Sequence, residues 1–260
     1  MELTLASTTE NHWQNAKGQL MKKNIVISAI TLIAGTLLAA ESDDVKAAAK
    51  KLGEQKNYSW KTTVVVPEGS QFRPGPTEGK TEKDGYTFLS MTFGDNTTEA
   101  VVKGDKGAAK MEGEWRSLAD MAQDSGQPAA FMARRLQNYR TPAVEAEEIA
   151  GKTKDLKKDG DAYSADLTEE GAKDLLRFRG GRRGGGGGGG GGPEPKNAKG
   201  SAKFWVKDGQ LAKYEYKVSG TINFGGEDRD VERTTTVEIK NVGETKIEVP
   251  EDAKKKMAGT

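Results

Sequence analysis

The chain of 260 residues contains no cysteine, and its one histidine, His12, lies close to the N-terminus. Without cysteine it can form no disulfide, no thiol nucleophile and no zinc site built on thiolates. Beyond His12 it has no imidazole to serve as the base of a Ser-His-Asp triad. These absences exclude the usual chemistry of many hydrolases, redox enzymes and zinc enzymes. We therefore expect a protein that is not an enzyme and that uses no cofactor and no metal.

A large net charge is also absent. Residues 1–40 hold three of the 40 basic and two of the 39 acidic side chains, so the chain that follows them has no net charge. A neutral chain has no overall field to draw it onto a polyanion. We therefore expect no nucleic-acid partner. The protein is also expected to be a monomer, although the charge does not decide this.

Residues 21–40 read MKKNIVISAITLIAGTLLAA and have the features of a bacterial secretory signal. Two lysines precede a run of fourteen mostly apolar residues, 25–38, which as a helix is too short to span about 30 Å of hydrocarbon. We expect cleavage after Ala40 and a periplasmic or secreted protein; an uncleaved membrane anchor is the alternative reading. Residues 1–20, polar and without pattern, are interpreted as an upstream segment that precedes the true start at Met21.

The remaining segment, 41–260, has mostly the pattern of β-strands interrupted by short helices. A capped amphipathic helix from Ser42 to Gly53 comes first, and apolar and polar residues then alternate with the period of half-buried strands. Single strands are predicted at 86–93, 108–115 and 246–249, with a polar loop around Pro74 and Pro76. Short helices are predicted to start at Ser117, at Thr141 followed by Pro142, and at Thr168. About ten antiparallel strands result. We expect an α+β fold in which one curved sheet, an open half-barrel, carries short helices on its concave face.

A run of nine glycines, 184–192, follows a segment with four arginines. Arginines on a flexible backbone can contact phosphates and stack on bases, which is the nucleic-acid interpretation. A long solvated loop is the alternative, because the entropy of loop closure grows only logarithmically with length. Zero net charge and an exported location favour the second interpretation, so residues 179–197 are predicted to form a disordered loop.

The clearest alternation lies between Lys213 and Phe224, where aromatic and aliphatic residues occupy one face of a strand and mostly polar or charged residues the other. From this pattern alone, the apolar face could either fill a core or line a ligand cavity.

The C-terminal strands resemble a known group. The runs KFWVKDGQLAKYEYKVSG, RTTTVEIKNVG and IEVPEDA are similar to the ending of the LolA/LppX-type periplasmic carrier superfamily, and the order of elements in 41–255 agrees with it. The resemblance implies an open half-barrel whose cavity, between sheet and helices, holds acyl chains. The residues expected to line that cavity are Trp60, Trp115, Met132, Leu136, Tyr214, Tyr216, Val218 and Phe224.

Two functions are consistent with these observations. The first is an exported, non-catalytic protein that binds a lipid or acyl chain in the half-barrel, with transient contacts to a membrane or a lipoprotein. The second is an exported structural or surface-interaction protein of the same fold, in which the core is filled.

Overall fold

The computed structural model describes residues 41–70, 73–124, 127–177 and 194–259. The predicted upstream segment, the predicted signal and the glycine run lie outside these residues. Within them the structure has eleven strands and six helices.

All eleven strands belong to one antiparallel sheet. Its order is β6-β5-β4-β3-β2-β1-β11-β10-β9-β8-β7, so the chain builds outward from β1 and later returns from the opposite edge. The bounds are β1 Asn57–Val65, β2 Pro74–Glu82, β3 Thr87–Phe93, β4 Asn96–Lys103, β5 Lys106–Met111, β6 Glu114–Ser117, β7 Lys157–Asp159, β8 Ala162–Asp166, β9 Lys196–Lys207, β10 Gln210–Phe224 and β11 Glu227–Lys240. The edge strands β6 and β7 do not pair with each other, so the sheet stays open.

The helices are short and lie between or beside the strands. They are α1 at residues 41–53, α2 Leu118–Gln123, α3 Gln127–Gln137, α4 Pro142–Ala150, α5 Glu169–Leu176 and α6 Glu251–Ala258. The predicted class, an α+β half-barrel with one curved antiparallel sheet, is confirmed. Strand β9 begins at Lys196, inside the segment predicted to be a loop up to residue 197.

The two faces of the sheet are covered differently. Helices α1 to α5 all contribute to one core on the inner face, where Leu52, Met121 and Ile149 are almost fully buried. Helix α6 packs on the opposite face, and its Ala253 and Met257 form a second, smaller cluster. Only the inner face has the extended apolar layer in which a ligand site was expected.

Local capping signals placed three helix starts correctly. The side-chain oxygens of Ser117 and Thr168 accept hydrogen bonds from the first turns of α2 and α5, and Pro142 is the first residue of α4. These signals depend only on residues close together in the sequence, so the helix starts could be predicted without knowledge of the fold.

The predicted loop at Pro74 and Pro76 was wrong, because this segment begins β2. The inward positions of β2 are small or hydroxylated, Gly79 and Thr81 among them, so the strand lacks hydrophobic alternation. A register irregularity between Pro74 and Thr77 accommodates the prolines beside β3.

Two further predictions were wrong. The single strand predicted at 108–115 is divided into β5 and β6 by a turn in which Glu112 and Gly113 have φ values of 52° and 89°. The strand predicted at 246–249 is absent from the described structure of that segment, and the chain instead turns at Pro250 into α6. Glu251 and Asp252 in the first turn of α6 favour a helix start through the helix dipole.

Replacement of Gly79 by alanine should destabilise the protein, because the indole of Trp60 lies across this glycine and an added Cβ would overlap with its ring carbons. Overpacking of this kind costs about 1–3 kcal/mol, which exceeds the gain of about 0.4–1 kcal/mol from stiffening the unfolded chain. Urea unfolding measures the change. Gly53→Ala is the matched control, since its added Cβ would make an ordinary contact of 3.5 Å with Ala143. Equal midpoints for the two variants would contradict this account of β2.

Candidate functional site

The candidate site is the apolar layer between the inner face of the sheet and helices α1 to α5. Cross-strand pairing brings Phe204, Tyr214 and Val237 side by side on β9, β10 and β11, and Trp60 follows on β1 beside Ile239. Because paired residues in antiparallel strands point to the same face, these side chains form one continuous inner surface.

Six of the eight predicted cavity residues lie in this core. They are all buried: Trp60, Met132, Leu136, Tyr214, Tyr216 and Val218. Trp115 belongs instead to the cluster beneath α6 on the opposite face, because the turn before β6 sets its orientation. The backbone of Phe224 ends β10 opposite Glu227, and its side chain lies outside what the structure describes.

Aromatic rings pack in pairs within this layer. Trp60 stacks on Tyr139, just beyond α3, with ring centroids 6.1 Å apart. Phe204 stacks on Tyr214 at 6.4 Å. Such pairs stabilise a core by about 0.5–1.5 kcal/mol beyond their buried area.

Polar contacts attach two helices to particular strands through tyrosine hydroxyls. The hydroxyl of Tyr214 on β10 donates to Oε2 of Glu145 on α4 at 2.6 Å. The hydroxyl of Tyr163 on β8 donates to Oδ2 of Asp44 on α1 at 3.1 Å. Hydrogen bonds to a charged acceptor are directional and among the stronger ones in proteins, so they determine where α1 and α4 lie.

A third attachment involves α5 and an arginine of the sheet. The Nη2 group of Arg233 on β11 donates to the backbone carbonyl of Leu175 near the end of α5. A cation near a helix C-terminus also interacts favourably with the helix dipole.

Helix α3 is held differently. Its inner stripe consists of Ala129, Met132, Ala133 and Leu136, and it packs against α2 and β5. Among the described residues, no hydrogen bond or ion pair joins an α3 side chain to the sheet; its one charged contact is that of Arg135 with the ring of Phe93. Helix α3 is therefore held to the sheet almost entirely by apolar contact.

The sheet near α2 and α3 has small inner residues. The inward positions of β2, β4 and β5 include Gly79, Ala100, Gly107 and Ala109. Larger side chains fill the space that these residues leave: the ring of Trp60 lies over Gly79, and Leu118 of α2 lies over Gly107. Side chains of the protein thus occupy the space next to these small residues of the sheet.

Two open grooves of about 340 and 410 Å³ lie on the outer face of the sheet. Charged and polar residues make up most of their walls, Lys61 and Glu78 in the first and Lys203 and Glu215 in the second. Neither is the apolar cavity expected from the sequence. In the described ranges, acidic side chains form no group of three suited to a metal ion. No described helix has both the length and the apolar character needed to cross a membrane.

Comparison with known proteins shows a distant structural likeness. No protein-family model and no curated protein matches the chain. Its fold is similar to that of the lipoprotein LppX of Mycobacterium tuberculosis, with a TM-score of 0.46, 10% identity and coverage of 82% of this chain and 99% of that one.

Two other solved structures are similar to the chain. LprF of Mycobacterium bovis has a TM-score of 0.44 and 13% identity, with 83% and 98% of the two chains covered. A DUF1329 family protein of Desulfovibrio piger has a TM-score of 0.31 and 12% identity, with 82% and 95% covered. Identities and scores this low transfer no ligand and no role.

Stability should depend on pH through the contact between Tyr214 and Glu145. Burial first, and then the charge of Glu145, raises the pKa of Tyr214 well above the usual tyrosine value of about 10. The folded state therefore keeps this proton where the unfolded chain loses it. The resulting stability is fully present below about pH 10 and is lost as the pH rises further.

Tyr214→Phe should lower the free energy of unfolding at pH 7 by about 1.5–3 kcal/mol, since it removes a hydrogen bond to a charged group. The difference in the free energy of unfolding between wild type and variant should become smaller above about pH 10. Urea unfolding at pH 7 and pH 10.5 measures both effects, with Tyr86→Phe, outside the main core, as the control. An equal difference in the free energy of unfolding at the two pH values would contradict the raised pKa of Tyr214.

Proposed function

We propose that this protein is an exported, non-catalytic binder of a hydrophobic ligand, which it takes up between α3 and the inner face of the sheet. The observation that carries the proposal is the attachment of α3. This helix packs against β5, whose inner residues Gly107 and Ala109 are small, and apolar contacts alone hold most of it there.

Apolar contacts can be exchanged for those of a ligand, because the hydrophobic effect is non-directional. Moving α3 aside would forfeit the burial of Met132 and Leu136, about 1.5–3 kcal/mol for each side chain. An acyl chain gains about 0.8 kcal/mol for each methylene buried, so about four to eight methylenes offset that loss. Displacing α4 would in addition break the hydrogen bond between Tyr214 and Glu145.

The absence of cysteine and of histidine beyond His12 supports a binding role without catalysis. The segment 21–40 supports export to the periplasm or beyond, where the protein would act as a monomer with transient membrane or lipoprotein contacts. N-terminal sequencing of the exported protein, expected to begin at Glu41, checks this part of the proposal.

A second candidate function has one observation in its favour. The inner layer is packed with the protein's own side chains, which is what an exported structural or surface-interaction protein with a filled core requires. Ligand binding distinguishes the two candidates.

Wild-type protein should bind a fluorescent fatty acid at one site, and binding should move α3 while leaving the sheet in place. Because the chain has no cysteine, spin labels can be placed on introduced cysteines without background. The pair at Lys103 and Gln137 reports the distance from sheet to α3. The control pair at Lys103 and Lys207 reports the sheet itself. All three positions are exposed.

Electron paramagnetic resonance then measures both distances with and without the fatty acid. We expect the first distance to change and the second to stay constant. Absence of binding would support the filled core and would end the carrier proposal. Binding with no movement of α3 would refute the site proposed beneath that helix.

A further inference from the structure

Arg135 on α3 differs in its surroundings from other arginines of the domain. Its side chain is half-buried, and its guanidinium carbon lies 5.4 Å from the centre of the Phe93 ring. No carboxylate of the described residues lies within ion-pair distance of it. By contrast, Arg116 pairs with Asp124 and Arg140 pairs with Glu148.

Desolvating a guanidinium without a counter-charge is unfavourable. Burial lowers the pKa of Arg135 from its usual value, with no opposing contribution from an acidic neighbour. An arginine still keeps its proton, so the protein carries a cation here that is only partly compensated by the face of an aromatic ring. Such a group is prepared to receive an anion.

The position of Arg135 relates this cation to the apolar site. Phe93 lies on the inner face at the end of β3, next to the turn into β4. Arg135 follows Met132 by three residues, so it adjoins the stripe with which α3 covers the sheet. Phe131, one turn earlier on the Arg135 side of the helix, is 42% exposed. A cation and two aromatic rings thus lie at the rim of the apolar layer that α3 covers, near the turn between β3 and β4.

We propose that Arg135 binds the anionic head group of the ligand, and that the ligand is an amphiphile with a carboxylate or phosphate head and an acyl tail beneath α3. This inference rests on the proposed function and narrows its ligand class. The guanidinium of Arg135 can donate two parallel hydrogen bonds to a carboxylate or to a phosphate. A neutral head group accepts hydrogen bonds more weakly because it carries no negative charge.

The test compares ligands that share a tail and differ in the head. Binding of dodecanoate, its methyl ester, dodecanol and dodecyl phosphate is measured at pH 8, below the micelle concentrations of the two anions and the solubility limits of the ester and the alcohol. The carboxylate and the phosphate should each bind wild-type protein at least about tenfold more tightly than the ester and the alcohol, because a charge-assisted hydrogen bond is lost with the neutral heads. Preference for one of the two anions identifies the head group.

Variants at adjacent positions assign this preference to Arg135. Arg135→Gln should remove the preference for anions: the affinity for the two anionic ligands should fall about tenfold, and that for the neutral ligands should stay within about twofold. Arg135→Lys should retain part of the preference. Arg134→Gln is the matched control: Arg134 is also half-buried but points about 100° away around α3. It should bind all four ligands as wild type does.

Each outcome is decisive. Equal affinity of wild type for acid and ester overturns the proposal for Arg135 and leaves the apolar site standing, even if the glutamine variant fails to fold. An anion preference that survives in Arg135→Gln, or that is lost in Arg134→Gln, also overturns it. No binding of any of the four ligands overturns the proposed function itself.

Discussion

Apolar contact between the inner face of the open sheet and the helices over it is the interaction on which the rest of the structure depends. An open half-barrel exposes one whole apolar face unless other elements cover it, and no disulfide is available to secure that cover. Five short helices provide it here. Each of them contributes only a few buried side chains, so the stability of the layer depends on how the individual helices are attached.

The attachments are uneven, and this unevenness is the basis of the proposed function. Tyrosine hydroxyls fix α1 and α4, and Arg233 fixes the end of α5, whereas α3 has no described polar contact with the sheet other than Arg135 over an aromatic ring. The same region of the sheet carries glycine and alanine on its inner face. A ligand that replaces the side chains of α3 would contact β5, where the inner residue Ala109 is small.

Much of the fold could be predicted from sequence because its signals are local. The alternation of Tyr214, Tyr216 and Val218 predicted both β10 and its inner face, and Ser117 and Thr168 predicted the starts of α2 and α5. Strand β2 could not be predicted, because its inner position Gly79 must be small. The ring of Trp60 on β1 occupies the space that a side chain at Gly79 would need.

The site was predictable to a similar extent. Six cavity candidates lie in the inner core because strand and helix periods place them there. Trp115 lies on the opposite face because of a turn and a terminal helix that the pattern does not reveal. The sequence does not distinguish Arg135 from its neighbour Arg134. Only the packing of α3 shows that Arg135 lies over the ring of Phe93.

Hydrogen exchange measured by mass spectrometry on the ligand-free protein tests the central claim most directly, since it reports how readily each helix separates from the sheet. Backbone amides in residues 131–137 of α3 should exchange faster than those in residues 146–150 of α4 and 173–176 of α5, and a bound acyl ligand should slow them. Protection of α3 equal to that of α4 in the free protein would contradict the account.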